Sequence, residues 1–201
     1  MARKSGVIGT RKESKRQEIL RISSRIFREK TYDGTTLKDI ADAVGMLKGS
    51  LYYYITSKQE LFSDIIVEAV KVLNDSVEQV HQADLPPVER IRAIIRANVM
   101  FSVEYQDTAI LFLTGRHIIS SMRMVELTRL FGRRDRMLIG TLNEAVQAGV
   151  YQPGNNRMVA LAIVGMCNSV AFWYSRKGEA SADEIAEIFF RLVHEGLLSR
   201  R

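Results

Sequence analysis

Residues 48–61, KGSLYYYITSKQEL, combine side chains that bind phosphate with side chains that pack into a core. Lysine ammonium groups and tyrosine hydroxyls donate hydrogen bonds to phosphate oxygens, and a glycine lets the backbone approach a ligand closely. Three consecutive tyrosines on a helix point about 100° apart, so they cannot all face one core. We expect Tyr52 to pack onto the preceding helices and Tyr53 to face a phosphate on the opposite side. Tyr54 would lie at the groove edge or under the next helix.

The charge of the chain is unevenly distributed. Residues 1–60 hold 13 Lys and Arg against 7 Asp and Glu, whereas residues 61–201 hold 16 of each, so the whole net charge of +6 lies in the first part. Such asymmetry indicates a polyanionic partner for the basic part. A solvated basic arm without a partner is the alternative.

Several classes of protein do not fit the composition. The single cysteine, Cys167, excludes an intramolecular disulfide and suits a reducing cytoplasm, and no apolar signal run follows the basic N-terminus. Three scattered histidines have no metal-ligand spacing, and neither a glycine-rich phosphate loop nor a nucleophile elbow is present. We therefore expect no metal, no cofactor and no enzymatic activity.

One segment, residues 158–174, has no charged residue. Its seventeen residues reach only the lower limit for a membrane span, and they include Gly165, Asn168 and Ser169. We interpret it as a helix buried inside protein rather than in a membrane.

Hydrophobic spacing predicts an all-α chain of about nine helices without internal repeats. Capping-box pairs mark four helix starts: Ser14–Gln17, Thr36–Asp39, Ser57–Glu60 and Ser181–Glu184. We expect a flexible basic arm over residues 1–12, a three-helix domain over residues 13–57 and a second domain over residues 58–201.

Two short helices, over residues 36–44 and 48–54, are joined by the turn GML in the basic part of the chain. This spacing matches a helix-turn-helix, whose second helix enters the major groove of DNA. Lys48 would reach bases or phosphates, and Lys58, in the first turn of the next helix, would pair with a phosphate. An aromatic-rich helical hairpin without a DNA partner is the alternative.

The stretch TTLKDIADAVGMLKGSLYYYITSKQELF, residues 35–62, resembles the DNA-binding signature of the TetR family of bacterial transcriptional regulators. Leu47 and Ile55 depart from that pattern, where Ser or Thr and Phe are usual. The resemblance makes Tyr52 the internal aromatic residue. It implies DNA contacts from Thr36, Lys48, Gly49, Ser50, Tyr53, Tyr54 and Lys58. Basic residues of the arm would add minor-groove or phosphate contacts or remain free: Arg3, Lys4, Arg11 and Lys12.

The same resemblance implies a bacterial, cytoplasmic repressor that is associated with the nucleoid when bound to DNA. Its last two helices would pair with those of a second subunit. The homodimer would present two recognition helices about 34–36 Å apart to a palindromic operator in double-stranded DNA. A small-molecule effector bound in the central helices would shift the fourth helix and release the DNA.

The effector cavity would be lined by flexible, aromatic and polar side chains. The candidates are Met100, Phe101, Tyr105, Phe112, Arg116, His117, Met122, Met137, Asn168, Phe172, Trp173, Tyr174 and Arg176. The segment FWYSRKGEASADEIAEIFFRLV resembles the branch of the family that responds to acyl-CoA thioesters of lipid and steroid catabolism. Arginines available for the CoA phosphates are Arg116, Arg123, Arg133, Arg134 and Arg136.

Two alternatives remain beside the ligand-responsive repressor. An enzyme lacks a recognisable catalytic constellation. A ligand-independent DNA-organising protein would have the same first 60 residues, and a solid core in place of a ligand-sized cavity would favour it. The operator sequence, the regulated genes, the effector and the sign of regulation are not readable from the sequence.

Overall fold

A computed structural model describes residues 4–198, with side chains from residue 12 onward. Within this range the chain forms nine α-helices and one short 3-10 turn, Arg116–Ile118. The prediction of an all-α fold is confirmed. The helices are α1 (Lys4–Lys30), α2 (Leu37–Val44), α3 (Lys48–Leu51), α4 (Lys58–Gln82), α5 (Pro87–Glu104), α6 (Gln106–Gly115), α7 (Ser121–Gln147), α8 (Asn156–Trp173) and α9 (Ala182–Leu197).

Two predicted helix boundaries were wrong. Helix α1 begins at Lys4 rather than Ser14, so residues 4–12, assigned to the arm, belong to the helix. Arg3 lies outside the described residues. Helix α3 ends at Leu51 rather than Tyr54, and the three tyrosines follow it in a turn.

Three of the predicted caps are formed. Thr36 and Ser181 each make a complete capping box, with Asp39 and Glu184 respectively, and the Ser57 hydroxyl accepts a hydrogen bond from the Glu60 N–H. Helix α2 ends at Gly45, whose φ of 74° is the left-handed conformation that glycine adopts without steric cost. These local bonds fix where α2, α4 and α9 begin.

Two hydrophobic cores lie along α4, which contributes to both. The first joins α1, α2 and α3 to the N-terminal half of α4, around Phe27, Leu51 and Phe62. The second joins the C-terminal half of α4 to α5, α7, α8 and α9, and includes Leu73. Helix α4 therefore connects the helix-turn-helix directly to the C-terminal helices.

Helix α8 packs against α5, α6, α7 and α9 but is not enclosed by them. It is the only helix among residues 4–198 that is long and apolar enough to cross a membrane, and 28% of it is buried in the subunit. Core helices of soluble proteins share this length and composition. Within the single subunit the burial of α8 is partial, because Met158, Leu161 and Phe172 are exposed.

Candidate DNA-binding surface and effector site

The turn after α3 decides which of the three tyrosines is exposed. Leu51 and Ile55 are both buried in the first core, and the Ile55 N–H donates to the Leu51 carbonyl across this helical turn. Tyr54 packs partly against the same core. Tyr52 lies about 100° from Leu51 and is 51% exposed. The expectation that Tyr52 is the internal aromatic residue was therefore wrong.

Five exposed residues form what we call the candidate DNA-binding surface: Thr36, Lys48, Gly49, Ser50 and Tyr53. Tyr53 is 65% exposed, its ring meets the Tyr54 ring edge-on at 5.1 Å, and the Lys12 ammonium lies 4.3 Å from its centroid. Lys48 forms no salt bridge with any described residue, so its ammonium is available to a phosphate. Lys48 gives this surface its cation, three of the other residues carry hydroxyl groups, and Gly49 exposes its main chain; such groups bind DNA phosphates.

Thr36 and Asp39 hold the N-terminal end of α2 in place. The Thr36 hydroxyl and N–H both donate to the Asp39 carboxylate, and the Lys30 ammonium donates to the same group at 2.7 Å. The hydrogen bonds from Lys30 and Thr36 lower the pKa of the Asp39 carboxyl far below its usual range. The carboxylate therefore stays ionised and ties the end of α1 to the start of α2.

Lys58 does not lie free at the surface as the phosphate prediction requires. Its ammonium donates to the carbonyl oxygens of Tyr32 at 2.9 Å and Thr35 at 3.0 Å, and it lies 4.2 Å from the centroid of the Tyr32 ring. These bonds fasten the α1–α2 loop to the start of α4. The structure thus gives Lys58 a positioning contact within the helix-turn-helix.

A small cavity of about 50 Å³, partly open to the surface, lies between α4, α5, α6, α7 and α8. Three predicted effector residues line it: Phe101, Phe112 and Asn168. The remaining wall is apolar except for Thr108 and Arg134. This volume holds a few waters or a short aliphatic group.

An open groove of about 670 Å³ lies next to the cavity, and Ala69 and Thr108 line both. Tyr105 and Arg176, both predicted, line the groove. Arg21 and Arg25 of α1 also line it, and so do the acidic side chains of Glu68, Glu104 and Asp107. Neither arginine of α1 is among the predicted effector residues, because α1 is far from the central helices in the sequence. A ligand in cavity and groove would touch both α1 and α4.

The other predicted effector residues lie apart from the cavity. Met100 lines a second groove, next to α4, with Phe101 and Tyr105. Arg116 and His117 border a shallow surface depression, and Met122 is 81% exposed. Met137 and Tyr174 pack partly against the second core, whereas Phe172 and Trp173 are exposed at the end of α8.

The arginines proposed for CoA phosphates have different surroundings. Arg123 bonds to Glu60, Asp64 and Glu126, so it joins α7 to α4. Arg133 makes two hydrogen bonds to Glu78, at 2.6 and 2.7 Å. Arg116 and Arg136 are exposed, and Arg134 is buried at the cavity.

Comparison with known proteins relates both parts of this structure to one family. A model of bacterial regulatory proteins of the tetR family matches residues 19–65, and a model of tetracycline repressor-like C-terminal domains matches residues 84–197. The chain is 25% identical over 190 residues to the HTH-type transcriptional repressor KstR2 of Rhodococcus jostii, covering 94% of this chain and 93% of that protein.

Solved structures agree with this relationship. The TetR-family transcriptional regulator PfmR from Thermus thermophilus has a TM-score of 0.82 and 26% identity, covering 90% of this chain and 99% of that one. AibR, solved with isovaleryl coenzyme A and operator DNA, has a TM-score of 0.78 and 23% identity, covering 89% and 97%. The chain therefore belongs to the TetR family of bacterial regulatory proteins and is a DNA-binding regulator of transcription.

Proposed function

We propose that this chain is a homodimeric, cytoplasmic repressor that leaves a palindromic operator when an acyl-CoA thioester binds. The observation that carries the proposal is the largely apolar cavity that adjoins an open groove across the shared wall of Ala69 and Thr108. An acyl chain suits the cavity. The groove carries three arginines that can bind phosphates and three carboxylates, so the phosphates would have to lie at the arginine side chains. KstR2 is a repressor, and AibR binds isovaleryl coenzyme A and operator DNA.

DNA binding is assigned to residues 13–57, through the candidate DNA-binding surface. The short helix α3 would enter the major groove, with Lys48 and Tyr53 at phosphates and Gly49 allowing close approach of the backbone. Tyr54 supports Tyr53 from the core side through their edge-on contact. Lys58 acts by holding the α1–α2 loop.

Dimerisation is assigned to α8 and α9 within residues 58–201. Exposed apolar side chains recur at helical spacing on both helices, including Met158 and Leu161 on α8 and Ile188 and Leu192 on α9. A stable dimer interface buries about 800 Å² on each partner, and two such helices supply a continuous apolar face for it. The pairing would also cover the exposed side of α8.

Release from DNA requires a path from the effector to the helix-turn-helix. The groove lies against α1 and α4, so a bound ligand would contact both helices. Gly115, at the end of α6, lies very close to the Phe62 ring of α4. A β-carbon added to Gly115 would be only 2.5 Å from Phe62 Cζ. A differential affinity of about 1–3 kcal/mol between the two conformations would be enough for regulation.

The ligand-independent DNA-organising protein is the second candidate. The small volume of the cavity, about 50 Å³, favours it, whereas the adjoining groove favours the repressor. Within the described chain, no group of three or more His, Cys, Asp or Glu side chains is placed to hold a metal ion.

The test is a fluorescence anisotropy titration at fixed salt with DNA from beside this protein's own gene, with and without a series of acyl-CoAs. Specific binding that one thioester weakens supports the proposal. Specific binding that no thioester changes contradicts the acyl-CoA effector and leaves the repressor. Tighter binding with a thioester reverses the sign of regulation, and binding without sequence preference favours the DNA-organising protein.

A further inference from the structure

Arg134 occupies a position on α7 where a core residue is expected. The buried residues of α7 include Leu127, Arg134, Leu138 and Thr141, which follow the spacing of one helix face. Arg134 is only 5% exposed, whereas its neighbours Arg133 and Arg136 are exposed. Arginine is almost never fully buried unless it is paired, so this position needs a partner.

The partner present accounts for only part of the guanidinium. Arg134 Nε and Nη2 lie 3.4 and 3.2 Å from the same oxygen of Asp135, and a third of the Asp135 side chain is exposed. The Phe131 ring lies 5.4 Å away and offers a weak cation–π contact. Nη1 makes no hydrogen bond to any described residue. Since a guanidinium has five N–H donors, most of them lack an acceptor from the protein.

No Arg134 nitrogen is both buried and unbonded, so its unused donors remain accessible, and Arg134 lines the effector cavity. Arg134 lines the cavity together with Asn168 and Thr108, while the other walls are apolar, including Leu73, Phe101 and Phe112. The positive charge of Arg134 also acts on the neighbouring helix α8. Burial raises the pKa of the Cys167 thiol to about 12, and the charge of Arg134 opposes this rise in the thiol pKa. A largely buried arginine whose unused donors remain accessible beside an apolar cavity is suited to an anionic or strongly polar oxygen.

We infer that Arg134 is the polar anchor of this cavity and binds the carbonyl or carboxylate oxygen of a ligand whose remaining body is short and aliphatic. The inference rests on the effector role proposed for the cavity. The planar guanidinium donates two parallel hydrogen bonds to a carboxylate, or one or two to a thioester carbonyl. Asn168, on the facing helix, supplies an amide that bonds to the same end of the ligand. The volume of about 50 Å³ limits the aliphatic part to a few carbons.

Two sources supply this chemistry, and matched probes distinguish them. Butyryl-CoA carries the thioester carbonyl, butyl-CoA is the thioether that lacks this oxygen, and butyrate is the free acid. Titration calorimetry on the full-length dimer would measure all three affinities. For the wild-type protein we expect butyryl-CoA or butyrate to bind at least about tenfold more tightly than butyl-CoA.

Variants show whether Arg134 causes this preference. In Arg134→Met, butyryl-CoA and butyl-CoA should bind equally, and butyrate binding should be lost. Arg129→Met is the matched control, because it removes an exposed arginine from the same helix, and it should keep the wild-type preference. Asp135→Asn removes the carboxylate that competes with the ligand, so butyrate should bind several-fold more tightly. This second variant tests the inference even where Arg134→Met does not fold.

Three results would overturn the inference: an unchanged preference in Arg134→Met, unchanged butyrate affinity in Asp135→Asn, or no wild-type binding of butyryl-CoA and butyrate. Operator binding without ligand, measured on the same samples, separates this failure from failure of the proposed function. A protein that binds its operator but does not discriminate among the probes contradicts only the role of Arg134. A protein that discriminates among them but keeps its operator contradicts only ligand-controlled repression.

Discussion

Replacement of Lys58 by methionine tests whether this lysine positions the α1–α2 loop or contacts DNA. Methionine keeps most of the aliphatic chain and removes the ammonium, which donates to the Tyr32 and Thr35 carbonyls and lies over the Tyr32 ring. A hydrogen bond that involves a charged group contributes about 1.5–3 kcal/mol. Because Lys58 is half-buried and water replaces part of the loss, we expect about 2 kcal/mol of destabilisation in total.

The expected readouts are a melting temperature and a salt dependence. A loss of about 2 kcal/mol corresponds to a Tm lowered by about 4–8 °C for a chain of this size, compared at equal protein concentration. Operator affinity should fall, because the loop leads into Thr36 and α2. The slope of log K against log salt should stay at the wild-type value, since no phosphate contact is removed.

Lys48→Met is the matched control for this experiment. Lys48 is exposed on the candidate DNA-binding surface, so its replacement should leave the Tm unchanged and reduce the salt slope by about 0.9. If instead Lys58→Met reduces the slope by the same amount at an unchanged Tm, then Lys58 contacts phosphate. The positioning role would then be wrong.

Three further substitutions test other parts of the molecule. Tyr53→Phe should weaken binding to every operator variant about fivefold at an unchanged Tm, through the loss of about 1 kcal/mol from one hydrogen bond, and wild-type affinity would exclude a hydroxyl contact. Gly115→Ala should lower the Tm by several degrees, because its β-carbon overlaps the buried Phe62 ring at a cost of about 1–3 kcal/mol; an unchanged Tm would mean that α6 shifts freely. Leu192→Asp should yield monomers in sedimentation, because a charge would then lie in the apolar interface. Val125 on α7 is also exposed, and Val125→Asp should leave the dimer intact. Dimers in both variants would place the interface elsewhere.

The sequence alone determined features that depend on near neighbours in the chain. The starts of α2, α4 and α9 were predicted correctly, because each cap joins a hydroxyl to a backbone N–H three residues later. The end of α2 at Gly45 is also a local feature, because glycine adopts the left-handed backbone conformation that ends the helix. The family signature over residues 35–62 is equally local, and the family models confirm the identification based on it.

Tertiary contacts decided which of three consecutive tyrosine side chains is partly buried and which are exposed. Tyr52, Tyr53 and Tyr54 have the same chemistry, and only the burial of Leu51 and Ile55 in the first core places Tyr52 outside and Tyr54 partly inside. In the sequence, only the four-residue spacing of Leu51 and Ile55 carries this phase, and tertiary contacts show that both residues are buried.

The roles of Lys58 and Arg134 were likewise decided by the fold. The carbonyl oxygens that Lys58 contacts belong to residues 26 and 23 positions earlier, and one arginine in the run Arg133–Arg136 is buried while two are not. The energy of a charged group depends on the partners and the water around it, and packing of distant helices determines both. The sequence therefore determined the family, the helices and the basic surface, whereas the tertiary structure decided which cations are free for a ligand.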